Sequence, residues 1–316
     1  MKQAILLTGA SGFVGQAIAR ACLADGVSLI CPSRKPLNWQ ADNMQNILVG
    51  DLAPDTDWSA SLQNTDIVIH CAARVHVMHE TASDPLQQFR QVNVEASLNL
   101  ARQAAVAGIK QFIYISSVKV NGEATGPGHP FTAADIAKPQ DAYGVSKHEA
   151  EQALLAFGRQ SGMAITIIRP PLVYGPGVKA NFLSMMRGVK RGFPLPLASI
   201  RNQRSFVYLE NLVSLVLHCR LRQAAYQQVF LASDGRDLST PQLLRLCGAA
   251  LGVRAHLLPF PVSLLNLAAR IAGRQSVADR LCQSLQVDIQ KTRDMLEWSP
   301  PFTVEQGLQA TAATLI

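Results

Sequence analysis

The sequence predicts an α/β protein built on a doubly wound parallel sheet, with a smaller α+β lobe contributed by its C-terminal half. Three observations predict it. Short apolar runs alternate with helical patterns through residues 4–168, the rhythm of right-handed strand–helix–strand crossovers. The first run breaks into a glycine turn, Gly9-Ala10-Ser11-Gly12-Phe13-Val14-Gly15, that leads straight into a helical pattern. Beyond residue 169 the rhythm gives way to Pro170, Pro171, Pro176, Pro194 and Pro196, as expected of a lobe laid over the edge of a sheet. The expected division is therefore 1–169 for the sheet unit, with a returning strand near 228–232, and 170–316 for the lobe.

Each element follows from its residues. Ala4-Ile5-Leu6-Leu7 is a short apolar run ended by Thr8-Gly9, the pattern of a strand buried on both faces. After it, glycines supply a tight turn, close approach of backbone to a pyrophosphate, and close packing of helix on strand; Phe13 and Val14 stand where amides at a helix N-terminus hold an anion. A strand before the turn and a helix at 16–24 after it make this a dinucleotide-binding fingerprint. The second strand, residues 28–31, ends at Pro32-Ser33-Arg34-Lys35. An acid there would hold free ribose hydroxyls, whereas a 2′-phosphate wants the hydroxyl and cations of Ser33, Arg34 and Lys35. NADP is the expected cofactor, with NAD the alternative.

Residues 47–49 form a third strand leading to Gly50-Asp51-Leu52, which places Asp51 and Leu52 near the adenine. Residues 67–70 form the fourth, ending at Cys71-Ala72-Ala73, whose small side chains let backbone lie against a cofactor. Residues 85–107 carry apolar side chains at helical intervals and end at Gly108 as a cap. The fifth strand, residues 111–115, delivers Ser116 and Ser117 to the carboxyl edge of the sheet, where ligands of open parallel sheets bind. Tyr143 and Lys147, four residues apart on a helix, stand one turn above each other, so the cation can hold down the phenol's proton affinity. On its own such a pair is common on solvated helix faces; here it sits beside a cofactor turn and a serine.

Composition excludes several classes. With 48% hydrophobic and 16% charged residues in 316, the chain is neither disordered nor fibrous. The 29 basic residues against 22 acidic ones give a net charge of +7 but form no run of five, which fits phosphorylated small molecules better than nucleic acid. Cys22, Cys31, Cys71, Cys219, Cys247 and Cys282 lie far apart with no histidine pair at metal spacing, so reduced core thiols and no metal site are expected. Residues 1–4 run straight into a strand, unlike a signal peptide, and no stretch approaches 18 apolar residues. A cytoplasmic protein without a membrane span is expected.

With the glycine turn, Gly50-Asp51-Leu52, His70-Cys71-Ala72-Ala73, Ser116-Ser117 and the Tyr143/Lys147 pair in this order, the chain resembles the extended short-chain dehydrogenase/reductases. More narrowly it resembles their nucleotide-sugar epimerase, dehydratase and ketoreductase branch. The likeness continues through Arg169-Pro170, Val173-Tyr174-Gly175-Pro176-Gly177, Arg204-Ser205-Phe206-Val207 and a tail from Asp288 to Pro300. It implies that Tyr143 exchanges a proton with the sugar hydroxyl or ketone, that Lys147 binds the nicotinamide ribose and lowers the Tyr143 pKa, and that Ser117 hydrogen-bonds the reacting oxygen. It adds Asn93 and Pro170 to the cofactor set. For the substrate it implies Ser117, Lys119, Asn121, Asn181 and Arg204, the last two on a nucleoside diphosphate, and it makes a homodimer through the helices at 85–107 and 143–157 the expected assembly.

Two departures from the family pattern matter. Sugar 4,6-dehydratases of this family carry an acid pair just after the hydroxyl residue, where this chain has Val118 and Lys119, so dehydration is not expected. The tyrosine usual before Gly122 is Asn121. The run from His76 through Asn121 and Gly177 to Asn181 resembles bacterial surface-polysaccharide sugar reductases. The expected function is thus NADP(H)-dependent reduction of the 4-keto group of a nucleotide-linked hexose, a UDP sugar, for surface-polysaccharide synthesis. A UDP-hexose 4-epimerase with tightly bound NAD is the alternative, and a non-catalytic dinucleotide sensor a third reading. The apolar segment 257–272, interrupted by Pro259, Pro261 and Asn266, is expected to pack under the lobe rather than dock at a membrane.

Overall fold

The computed structural model describes residues 3–75 and 84–315; His76 lies outside them. Seven parallel strands run β1 Ala4–Thr8, β2 Ser28–Ser33, β3 Met44–Leu48, β4 Ile67–His70, β5 Gln111–Ile115, β6 Ala164–Arg169 and β9 Gln228–Leu231. They lie in the order β3-β2-β1-β4-β5-β6-β9, so the direction of winding reverses between β1 and β4. Loops leaving those two strands part there and leave a crevice at the carboxyl edge. β9, from the second half of the chain, closes the sheet beside β6.

Alternation along the strands builds two apolar layers. Ile5, Leu7, Ile67, Ile69 and Ile113 face one core, and Leu6, Val68, Phe112, Tyr114 and Ile167 face the other, because successive side chains of a strand point to opposite faces. Helices α1 Phe13–Ala24 and α7 Leu209–His218 pack together on the first side. Helices α4 Ala96–Val106 and α5 Ala142–Ser161 cover the second through Leu100, Ala104, Ala150 and Leu154. The short helix α2 spans Ser59–Leu62.

The expected helix at 85–107 is three joined pieces: α3 Pro85–Arg90, a π-helical turn Gln91–Glu95, and α4. The π turn swings Asn93 inward, where its amide bonds the Arg74 backbone in both directions and the Ser146 hydroxyl of α5. A tertiary cluster of this kind makes a wider turn worth its poorer hydrogen bonding.

The second half supplies a two-stranded parallel ribbon, β7 Leu172–Tyr174 with β8 Phe206–Tyr208, and helices α6 Ala180–Lys190, α8 Thr240–Ala250, α9 Val262–Ile271, α10 Gln275–Cys282, α11 Gln290–Leu296 and α12 Val304–Ala313. Here the expected packing of segment 257–272 is met on one face only. α9 has no buried residue; Val262 and Leu265 touch the core while Leu264, Leu267 and Ile271 stand exposed.

Candidate active site

The glycine turn sits where the sheet's order requires it. Gly9 has φ +73°, and a Cβ there would lie 2.8 Å from the Ala72 backbone nitrogen, so the turn after β1 and the Cys71-Ala72-Ala73 segment after β4 touch backbone to backbone. A Cβ on Gly15 would lie 2.1 Å from the Gly9 carbonyl oxygen. Gly12 caps α1 without any side-chain hydrogen bond, which leaves the first-turn amides facing the crevice as an anion cradle. Replacing Gly15 by alanine is therefore expected to push the turn open and weaken dinucleotide binding at least tenfold, checked by titrating the purified variant with NAD and NADP.

A cavity of about 1080 Å³ fills the crevice. It is lined by Gly9, Gly12, Phe13, Val14 and Gly15 from the turn, by Ser33, Arg34, Asp51 and Leu52, by Cys71, Ala72 and Ala73, and by Ser117, Tyr143, Lys147 and Pro170. The size and the glycine cradle fit a dinucleotide: diphosphate over the turn, adenosine toward Arg34 and Asp51, nicotinamide toward Tyr143. Trp58, Val92, Pro171 and Val173 also line it; sequence reading gave no signal for them, since each reaches the crevice only through tertiary folding.

Several expected ligands stand elsewhere. Lys35 does not line the cavity. Arg34 donates to the Asp51 carboxylate at 3.2 Å, and the Ser33 hydroxyl donates to the Lys35 carbonyl while accepting from Asn46. The basic strand end therefore has protein partners already, and it offers a 2′-phosphate less than its sequence suggested. Asn93 is fully buried and positions Arg74 rather than lining the cavity. Lys119 is held by Glu123 at 2.9 Å and by Asp141, so its ammonium neutralises the residue that caps α5 instead of reaching out as a free substrate cation.

Asn121 is buried too, accepting from Arg169 at 3.0 Å and donating to the Thr132 carbonyl. Behind it lies a closed polar network: Arg169 forks onto Glu151, and the Ser116 hydroxyl donates to the same carboxylate. This network fixes the backbone on either side of Ser117, whose hydroxyl accepts from the Lys119 amide. Arg204 and Asn181 lie outside the dinucleotide cavity. Arg204 donates to the Gln283 carbonyl, and its pKa is lowered by burial and then by the charge of Arg280. Guanidiniums suit an anion such as a diphosphate, and the charge of Arg280 acting on Arg204 adds it to the candidate set.

Lys147 is buried, donates to the Ile115 carbonyl at 2.8 Å, and lies 4.3 Å from the centre of the Tyr114 ring. Burial lowers its pKa to about 8, so the ammonium is retained at neutral pH. Its nitrogen is 5.9 Å from the Tyr143 ring centre. Burial pushes the Tyr143 phenol well above its ordinary value, the Asp141 charge adds to that, and the hydrogen bond with Ser117 opposes it. The lowering expected from Lys147 together with the cofactor's charge is absent in the protein alone, where desolvation dominates. Nearby, His70 is sealed between Thr8 and Ser97 hydroxyls and lowered by burial to about 3, a neutral brace between β4 and α4.

The family model described as NAD dependent epimerase/dehydratase matches residues 5–230. The chain belongs to that family. Among its members, UDP-glucose 4-epimerase of Vibrio cholerae is 44% identical over 318 residues, covering 100% of this chain and 96% of that one. GDP-6-deoxy-D-mannose reductase of Pseudomonas aeruginosa is 26% identical over 98% of this chain and 96% of the relative. The crystal structure of UDP-N-acetylglucosamine 4-epimerase from Bacillus cereus superimposes with a TM-score of 0.80 at 21% identity, covering 99% of both chains. The matched relatives are oxidoreductases and epimerases of the short-chain dehydrogenase type, several of them acting on nucleotide sugars, and the expected enzyme class and fold hold.

Proposed function

We propose that the protein is a UDP-hexose 4-epimerase that works with a retained NAD. The observation that carries this is the 44% likeness to a UDP-glucose 4-epimerase along the whole chain, on a crevice where Ser117, Tyr143 and Lys147 converge. The 4-ketoreductase reading expected from the basic strand end gives way to that 44% likeness. It remains the second reading, favoured by the presence of Arg34 in the cavity wall and by the 26% likeness to a sugar-nucleotide reductase.

A bound NAD, held by the glycine turn and the Cys71 to Ala73 segment, would supply a reversible hydride acceptor for carbon 4 of the sugar. The protein's part is acid–base work and positioning. The Tyr143 phenolate removes the proton of the 4-hydroxyl as the ketone forms and gives it back on return. Ser117 hydrogen-bonds the same oxygen. Lys147 would hold the cofactor ribose, and its charge together with that of oxidised NAD would counter the desolvation that raises the phenol. The Arg204/Arg280 pair and Asn181, at the start of α6, hold the diphosphate while the sugar turns over. Val118 and Lys119 provide no acid pair for eliminating water. A homodimer through α3–α4 and α5 belongs to the same reading.

Two results test it. Purified protein incubated with UDP-glucose and no added dinucleotide is expected to form the carbon-4 epimer; turnover only with NADPH and a 4-keto sugar nucleotide would favour the reductase. Because Lys147 loses its proton above about 8, kcat/KM is expected to fall as pH rises through that value, and Lys147→Arg, whose guanidinium does not titrate there, should remove that limb from whatever activity remains.

A further inference from the structure

We infer that α9 is a membrane-surface docking element that seats the C-terminal lobe on an anionic lipid bilayer. The helix is apolar on two opposite faces. Taking about 100° per residue, Val262 and Leu265 lie on the face that packs against the core, while Leu264, Leu267, Ala268 and Ile271 span an arc of about 100° on the other side. That second face is open: Leu264 is 49% exposed, Leu267 53% and Ile271 81%. A helix apolar on two faces is ordinarily covered on both, and nothing among the described residues covers this second face. Leu258 and Phe260, which lead into the helix, are 51% and 37% exposed and extend the same apolar surface. So does Phe193, 54% exposed, because residues 195–198 hydrogen-bond to 256–258.

Charge identifies what covers it. Residues 1–169 hold 13 basic and 14 acidic side chains, residues 170–316 hold 16 and 8, so all of the chain's net positive charge belongs to the second half. Residues 238–278 contain no acid, but do contain Arg245, Arg254, Arg270 and Arg274. Arg270 lies on the flank of the open face, and Arg274 follows the helix end. An apolar stripe flanked by Arg270 and Arg274, with Asp279 of the packed α10 as the next acid along the chain, suits the boundary between acyl chains and anionic headgroups. A second copy of the chain would bring the same cations against themselves. No helix among the described residues is long and apolar enough to cross a membrane, so the contact is one of lying on the surface. The sequence-based expectation placed this segment under the lobe; one face packs there and the other stands open.

The test is co-sedimentation of the full chain with phosphatidylcholine vesicles, with and without phosphatidylglycerol, at physiological salt. The wild type is expected to sediment with the anionic vesicles and at least tenfold less with the neutral ones. Leu264→Gln/Leu267→Gln/Ile271→Gln should weaken anionic binding at least tenfold with an unchanged thermal midpoint, since only exposed side chains are altered. Arg270→Gln/Arg274→Gln should weaken it and flatten its salt dependence. A wild type that stays in the supernatant overturns the inference. So does a triple variant that binds as well as the wild type. A wild-type dimer that the triple variant turns to monomer, with no vesicle binding, overturns it and assigns the face to contact between copies. None of these readouts depends on turnover, so they stand apart from the epimerase reading.

Discussion

Replacing Tyr143 by phenylalanine is expected to lower kcat about a thousandfold or more while leaving NAD binding within a few-fold of the wild type. Positioned acid–base groups contribute about 10²–10⁴ in rate, and a thousandfold corresponds to about 4 kcal/mol of transition-state stabilisation. The ring packs edge-on against Phe89 with centroids 6.2 Å apart, and phenylalanine keeps that contact, so the loss reports the hydroxyl alone. In the proposed site the cofactor is held mainly by the glycine cradle and the Cys71 to Ala73 segment, which the change does not touch. Measuring kcat and NAD affinity on one preparation checks both halves. A variant that turns over normally would remove Tyr143 from the chemistry.

Glu151→Ala is expected to destabilise the fold by about 3–5 kcal/mol, the usual cost of stripping one partner from a buried ion pair. That is a large share of the roughly 5–15 kcal/mol that holds a domain together. The Glu151 side chain is 0% exposed and that of Arg169 is 5%. Removing the carboxylate leaves the guanidinium buried with Asn121 on its other arm, and strands the Ser116 hydroxyl. The urea midpoint of the variant measures the loss. Glu151→Gln, which keeps shape and one acceptor, should lose less. Because the network braces both sides of Ser117, kcat should fall as well, without a matching change in NAD affinity.

The strands and the glycine turn were legible in the sequence because they depend on local pattern. β1, β4, β5 and β6 are short apolar runs at a fixed distance from their punctuation, and the turn needs glycine at Gly9 and Gly15 for contacts within a few residues or with the next loop. Residues whose partners lie far off in sequence were not legible. Asn121 read as a substrate contact because its motif sits at the edge of the site, but Arg169, 48 positions on, claims its oxygen. Lys119 read as a free cation until Asp141 came beside it. The π turn at Gln91–Glu95 depends on Ser146 and Arg74, which no periodicity of residues 85–107 reveals. The apolar pattern at 257–272 cannot by itself say which of its two faces is covered.

The central claim is that one bound NAD takes and returns the same hydrogen at carbon 4. Deuterium at that carbon of UDP-glucose tests it most directly. With excess unlabelled NAD and NADP in solution, the account predicts that the carbon-4 epimer forms with deuterium still at carbon 4 and none in the free dinucleotides. Deuterium released into the free NAD or NADP pool, or washed out of the product, would contradict it.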